Sequence, residues 1–324
     1  MPVNFSEAHI LVLGDAMLDE YLEAEVSRIS PEAPVPVAAI RRHRQVTGGA
    51  ANVARNLARL GCRVTLAGLC GRDAAGKALA RLLEREGIEN RLQTVKGGVT
   101  TKKTRIIAQG QQMLRLDHEK TDPSPPEHYA ALSAALGEII PQCRAVILSD
   151  YAKGVLNRGP EGNSLAGEAI ALAAEQGLPV CVDPKGADWL RYAGAACVTP
   201  NTREFEALAG PCAGRAEMEL KAAALCGQYE FERLLVTRGG RGLALFAGKA
   251  APLYIKSQAK EVIDVSGAGD TVIAVLAACL AGGLPWAEAA RFANMAAGVV
   301  VSKAGTSPIT KAEFEALAGP AGRI

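Results

Sequence analysis

An α/β fold with an open, mainly parallel sheet, and a small β-sheet lid outside it, is what this sequence predicts. Three observations carry that prediction. From residue 127 onward, strand-like and helix-like segments alternate strictly. Polar or glycine residues gather at the C-terminal end of each of these strands, where open α/β sheets place their ligands. Residues 264–272, Asp-Val-Ser-Gly-Ala-Gly-Asp-Thr-Val, put a glycine loop at the start of an apolar run of helical length.

In chain order, Ile10–Leu13 is a short buried strand ending at Gly14, with Asp15 and Asp19 beyond its tip. Residues 22–41 are strand-like and punctuated by Pro31, Pro34 and Pro36, which predicts short edge strands or a lid. Gly48 and Gly49 open a helix whose apolar face carries Val53, Leu57 and Leu60, with Asn52 in its first turn. A strand at Val64–Leu69 leads to a helix over 73–86, with Asp73 as N-cap and Gly87 past its end. Residues 99–117 alternate about a Gln-Gly-Gln turn at 109–111, which predicts a hairpin that joins 22–41 in the lid. Helices over 127–139, 164–176 and 216–227 then interleave with strands at Ala145–Leu148, Pro179–Val182, Ala196–Val198 and Leu234–Val236. Their tips carry Ser149–Gly154, Asp183–Gly186, Thr199–Asn201 and Thr237–Gly242. Tyr254 to Val262 reads as one more strand, running into the glycine loop.

That loop is the sharpest chemical signal. Ser266, Gly267, Ala268 and Gly269 present unpaired N–H groups at a helix start, where the dipole favours an anion. Asp270 follows in the first turn. Capping accounts for a carboxylate there, but not for two glycines beside it. Phosphoryl transfer accounts for all three, since amides hold the moving phosphate and an acid takes the proton of the attacking hydroxyl. Two lookalikes fail. Gly267-x-Gly269 lacks the third glycine of a dinucleotide fingerprint, because position 272 is Val. Gly71-Arg-Asp-Ala-Ala-Gly76-Lys77-Ala78 lacks the metal-binding hydroxyl of a Walker loop.

The 324 residues are 49% hydrophobic and 22% charged, with net charge +2, so nothing draws the chain to nucleic acid or an anionic membrane. The apolar run at Val272–Ala281 is too short to span a bilayer, and no signal peptide is evident. Eight scattered cysteines without a C-x-x-C pair predict buried reduced thiols in a cytoplasmic protein. The four histidines show no metal-ligand spacing.

From Gly14 to about Pro308 the chain resembles the ribokinase-like (PfkB) carbohydrate kinases. Residues 48–52 resemble the family's first signature, one residue shorter than its commonest form. Asp264–Asp270 resembles the second. Ser27–Val37, Ser149–Gly154 and Asp183–Gly186 are similar to the heptose 7-phosphate kinases of lipopolysaccharide-core synthesis. Some of those enzymes carry a nucleotidyltransferase domain with an H-x-G-H motif. That spacing is missing here, so the resemblance is to a stand-alone kinase in a single domain over 1–324, its lid at 22–41 and 99–117.

The resemblance also implies roles. The fold would be a three-layer sandwich, and ATP with Mg²⁺ the phosphate donor. Asp270 would deprotonate the anomeric hydroxyl, and Ser266–Gly269 would hold the γ-phosphate. Asn201 and Glu204, flanking Thr202 and Arg203, would hold nucleotide phosphates and Mg²⁺, partly through water. Thr237, Gly239 and Gly242 would line the nucleotide, with Asn294 and Ala297 near the adenine. Asp19, Gly48, Gly49 and Asn52 would bind sugar hydroxyls. Asp264 would serve a monovalent-cation (K⁺) site known in some relatives. Met17 stands where ribose enzymes carry an amide, which argues against ribose. A sugar phosphate would need cations, for which Lys103, Arg105 and Lys185 beside Asp183 are the candidates. Exposed lid edges predict a homodimer through the lid. The competing expectations are a kinase for fructose phosphate or ribose, and a nucleotide-sensing regulator without catalysis.

Overall fold

The computed structural model describes residues 5–120, 126–157, 164–248, 250–259, 261–303 and 305–318. In chain order the strands and helices are β1 His9–Gly14, β2 Ala16–Ile29, β3 Pro36–Gly49, α1 Ala50–Leu60, β4 Arg63–Gly71, α2 Ala74–Arg85, β5 Glu89–Val95, β6 Lys102–Ala108, β7 Gln111–His118, α3 Pro126–Ile139, β8 Ala145–Ser149, α4 Leu165–Glu175, β9 Val180–Asp183, β10 Cys197–Val198, α5 Thr202–Ala209, α6 Arg215–Tyr229, β11 Leu234–Thr237, β12 Leu243–Phe246, β13 Leu253–Ile255, α7 Ala268–Ala281, α8 Trp286–Val300 and α9 Lys311–Ala318.

Nine strands form the main sheet in the order β13-β12-β11-β10-β9-β8-β1-β4-β5. All neighbours are parallel except β11–β12 and β12–β13. Such a sheet is buried on both faces, so its central strands are apolar, while the edge strand β5 is polar and partly exposed. β1 shows this: all six residues are buried. Its alternate side chains feed two cores. Ile10 and Val12 pack with α1, α7 and α8, while Leu11 and Leu13 pack with α3, α4 and α6. The result is the expected three-layer sandwich. The strand order reverses at β1, which lies between β8 and β4, and a crevice opens at such a switch point.

The second sheet has the order β3-β2-β6-β7. It contains both lid segments, but its strands are longer than expected. The three prolines do not break them into short pieces, because 30–35 is the turn between β2 and β3 and Pro36 only starts β3. β2 therefore begins at Ala16 and carries Asp19, and β3 runs through Gly48 and Gly49 into α1. The 109–111 turn is as read, with Gln109 and Gly110 both at positive φ.

Two further differences concern the loops. The strand expected over 254–262 stops at Ile255. Beyond it, Ile263 and Asp264 both donate their amides to the carbonyl of Val301, so this stretch follows the end of α8 rather than a sheet neighbour. The Walker-like stretch is structural, as expected: Asp73 caps α2 by accepting from the Gly76 amide at 2.7 Å and ties down Thr100.

Candidate active site

Helix α7 explains the placement of the glycine loop. Val272 to Cys279 are all buried, so the helix is sandwiched between the sheet and α1 and α8, and its start is fixed. Gly267 caps it with φ of 78°, a conformation that favours glycine. A Cβ there would meet the Asn52 amide nitrogen at 3.0 Å. The four loop amides expected to be unpaired are not all free: Ser266 donates to Asp264 Oδ1 and Ala268 to the Val265 carbonyl, because the loop turns back on itself before the helix. Thr271 bonds to Gly267, and the Gly269 and Asp270 amides are left without a backbone partner among the described residues. At Gly269 a Cβ would meet nothing within 4 Å, so there is room beside the first turn of α7.

Asp270 is only 6% exposed. Its Oδ2 accepts from Asn52 Nδ2 at 2.6 Å and its Oδ1 from the Tyr151 hydroxyl at 2.6 Å. Burial raises its pKa above the ordinary carboxylate value and the nearby charge of Asp19 adds to this, while the two hydrogen bonds oppose them. Elements distant in sequence thus converge on one carboxylate: the start of α1, the tip of β8 and the start of α7. Asn52 Oδ1 is buried without a partner, an acceptor that a sugar hydroxyl would satisfy.

Asp19, also buried, accepts from Arg105 Nη1 at 2.7 Å. Gly48 is required beside it, since a Cβ there would lie 2.7 Å from Asp19 Oδ2. Gly49, at φ 55°, has the Asp15 carbonyl closer still, at 2.4 Å from such a Cβ. The expected sugar-binding set Asp19, Gly48, Gly49 and Asn52 is therefore assembled around Asp270. Tyr21 backs it, with the guanidinium of Arg105 5.3 Å and that of Arg44 4.5 Å from its ring centre.

The three candidate phosphate cations part company. Arg105 is bound to Asp19. Lys103 pairs with Asp117 at 3.1 Å and Glu119 at 3.6 Å on the lid. Lys185 pairs with Glu204 at 2.7 Å, on the side expected for the nucleotide rather than with Arg105. Asp183 stands between the two halves. Burial raises its pKa well above normal, and the charges of Asp270 and Glu204 raise it further.

On the nucleotide side, Asn201 and Glu204 form a reciprocal capping box at the start of α5. Thr202 donates to the Thr237 carbonyl at 3.2 Å, which brings β11 to that helix start, and Arg203 is exposed beside it. Gly239 sits at φ 55° in the turn after β11. Gly242 closes that turn against β13, where a Cβ would lie 2.0 Å from the Ile255 carbonyl. On α8, buried Asn294 donates to the Lys256 carbonyl at 2.8 Å, so its amide braces the segment after β13, and Ala297 is partly exposed one turn on. Both oxygens of Asp264 accept backbone amides, from Ser266 and Gly305.

Sequence reasoning gave no role to Tyr151 or Asp15. The Ser149–Gly154 motif stood out as a resemblance and Asp15 only as a residue at a strand tip, but the fold alone brings Tyr151 to Asp270. The cysteines are all free, six buried and Cys70 and Cys212 partly so. No helix among the described residues is long and apolar enough to cross a membrane.

An open α/β sheet with an anion loop, a buried carboxylate and a lid defines a sugar kinase. The chain belongs to the pfkB family of carbohydrate kinases, whose profile matches residues 7–312, and it is therefore an ATP-dependent kinase. It is similar to the bifunctional protein HldE of Halorhodospira halophila, 45% identical over 98% of this chain and 64% of the relative. HldE of Coxiella burnetii is 46% identical over 96% of this chain and 63% of its own length. The chain thus spans about two thirds of these relatives' length. Among solved structures, Arabidopsis thaliana ribokinase with ribose and ATP superposes with a TM-score of 0.74 at 22% identity, covering 96% of this chain and 99% of that one. Escherichia coli phosphofructokinase-2 with potassium gives 0.76 at 21% identity, covering 95% and 97%.

Proposed function

We propose that this kinase phosphorylates the anomeric hydroxyl of D-glycero-D-manno-heptose 7-phosphate to give the 1,7-bisphosphate, a step toward ADP-heptose and the lipopolysaccharide core. The observation that carries the chemistry is Asp270, buried and aligned by Asn52 and Tyr151 beside free amides at the start of α7. The likeness to HldE over nearly the whole chain supports the sugar.

In this reading the hydroxyl of C1 approaches Asp270, whose carboxylate accepts its proton through a lone pair that Asn52 and Tyr151 leave free. The free amides of Gly269 and Asp270 stabilise the transferring phosphate. Asp19 and Asn52 orient the ring, and Arg105 meets the terminal phosphate. Lys185, standing with Glu204, serves the nucleotide phosphates.

Mg²⁺ neutralises nucleotide phosphate charge when bound. The oxygen donors of Glu204, with Asp183 near, suit an ion that keeps most of its waters. Asp264 would lend an oxygen to K⁺. The lid exposes Ile29, Ile40, Met113, Leu114 and Leu116, each at least half exposed, which supports a homodimer through this sheet. We place the enzyme in the cytoplasm, where its nucleotide and sugar phosphate are found.

The test is product identification by phosphorus NMR after incubation with MgATP and heptose 7-phosphate. A second phosphate ester at C1 supports the proposal. Transfer to another position, or none to this sugar but good transfer to fructose phosphate, refutes it.

A further inference from the structure

The loop after β8 is held far more firmly than an exposed strand tip requires. Asp15, at the end of β1, accepts the amides of Tyr151 at 2.9 Å, Lys153 at 2.9 Å and Val155 at 3.2 Å. Next to it, Asp150 accepts the Ala152 amide at 2.7 Å, the Tyr192 hydroxyl at 2.6 Å and Arg191 Nη2 at 3.0 Å. Arg191 also reaches the Lys185 carbonyl and Asn157, and Tyr129 donates to the Gly154 carbonyl. Ala152 is kept at φ 55°, a left-handed conformation disfavoured for a residue with a Cβ. Backbone strain that the surroundings over-determine tends to mark a site where position matters. What this loop positions is one side chain, Tyr151, with its hydroxyl 2.6 Å from Asp270 Oδ1.

We propose that Tyr151 is the positioning residue of the catalytic carboxylate: its hydroxyl, set by the Asp15-anchored loop, donates to Asp270 and holds it oriented and ionised for the incoming sugar. This rests on Asp270 being the base. The need for such a donor follows from the surroundings. Asp270 is buried, and the charge acting on it is negative, that of Asp19 on β2, while Asp183 at the tip of β9 is itself driven toward its neutral form and supplies no compensating cation. The cations nearby are committed, Arg105 to Asp19 and Lys185 to Glu204. Burial and Asp19 both push the Asp270 carboxyl toward its protonated form, which cannot accept a proton. Two neutral donors, Tyr151 and Asn52, oppose that. Asn52 also offers an acceptor to the sugar, whereas the Tyr151 hydroxyl has no other partner among the described residues.

The sign follows directly. A donor to the carboxylate lowers its pKa, so removing the hydroxyl raises it. The experiment is Tyr151→Phe, read in two ways. Infrared difference titration of the substrate-free enzyme follows the protonated-carboxyl band that Asp270→Asn lacks, and its midpoint should rise by about one pH unit in the variant. Under saturating MgATP, kcat should fall roughly tenfold on the acid side and recover toward wild type as pH rises, with KM for ATP unchanged. A coincident infrared midpoint overturns the proposal, and so does a rate loss uniform across pH, which is what a packing role alone would give. Normal turnover by Asp270→Asn would instead remove the base assignment, while the infrared midpoint still reports the contact.

Discussion

The tip of β8 and the outer parts of the lid sheet are built in opposite ways. Around Tyr151 the charged groups are buried and paired: Arg191 and Asp150 have side chains 7% and 1% exposed. On the lid, Arg41 and Glu25 meet at 2.6 Å with side chains 68% and 57% exposed, and every residue of β7 is exposed. Exposed pairs of this kind contribute about 0–1 kcal/mol, whereas removing one partner of a buried pair costs about 3–5 kcal/mol. The sheet tips are thus preorganised for chemistry. The outer parts of the lid sheet owe their shape to backbone ladders. Mutations on the two sides should therefore fail differently.

The largest effect is expected at Asp270. Asp270→Asn should lower single-turnover ADP formation by about 10²–10⁴-fold and leave ATP binding and thermal stability near wild type. Stability is retained because the orphaned Asn52 Oδ1 can turn to accept from the new amide. Next comes Gly269→Val. This position has ordinary helical backbone and open space around a Cβ, so the fold should tolerate the side chain by circular dichroism. The rate should fall by about 10²-fold, because the valine crowds the amides that face the phosphate. Arg105→Ala comes third. Loss of one charge-assisted contact should raise KM for the phosphorylated sugar by roughly 10–100-fold with KM for ATP little changed, as steady-state kinetics would show. The smallest effect on the folded chain is expected at the lid surface. Leu114→Lys with Leu116→Lys should change stability by no more than about 0.5 kcal/mol each, yet convert a dimer to a monomer by light scattering. A wild type that is monomeric at micromolar concentration would contradict the lid interface.

Much of the fold was legible because α/β order is local. Apolar strand cores, helix caps such as Asp73 and the Asn201–Glu204 box, and glycines at strand tips each follow from neighbours in sequence. The glycine loop at a helix start and the carboxylate of Asp270 in its first turn were legible for the same reason, whereas the internal bonds of Ser266 and Ala268 were not. What escaped depends on distance or on misleading composition. Tyr254 to Val262 looks like a strand, but the strand ends at Ile255, Val262 is 60% exposed, and the amides of Ile263 and Asp264 just after it bond to Val301 at the end of α8. The prolines of 31–36 suggested interruption, although they occupy a turn and a strand start. Lys185 was grouped with Arg105 by its charge and its place just after the Asp183 strand tip, and its ion pair with Glu204, 19 residues on, was not legible. Tyr151 and Asp270 are 119 residues apart, and only the order of β8, β1 and α7 around the crevice makes them neighbours.

The central claim is that this kinase acts on a sugar that already bears a phosphate. The most direct test compares kcat/KM for heptose 7-phosphate with that for the same heptose lacking phosphate, at saturating MgATP. A preference of roughly 10-fold or more for the phosphorylated sugar is predicted, the equivalent of one charge-assisted contact. Equal use of the two sugars would contradict it.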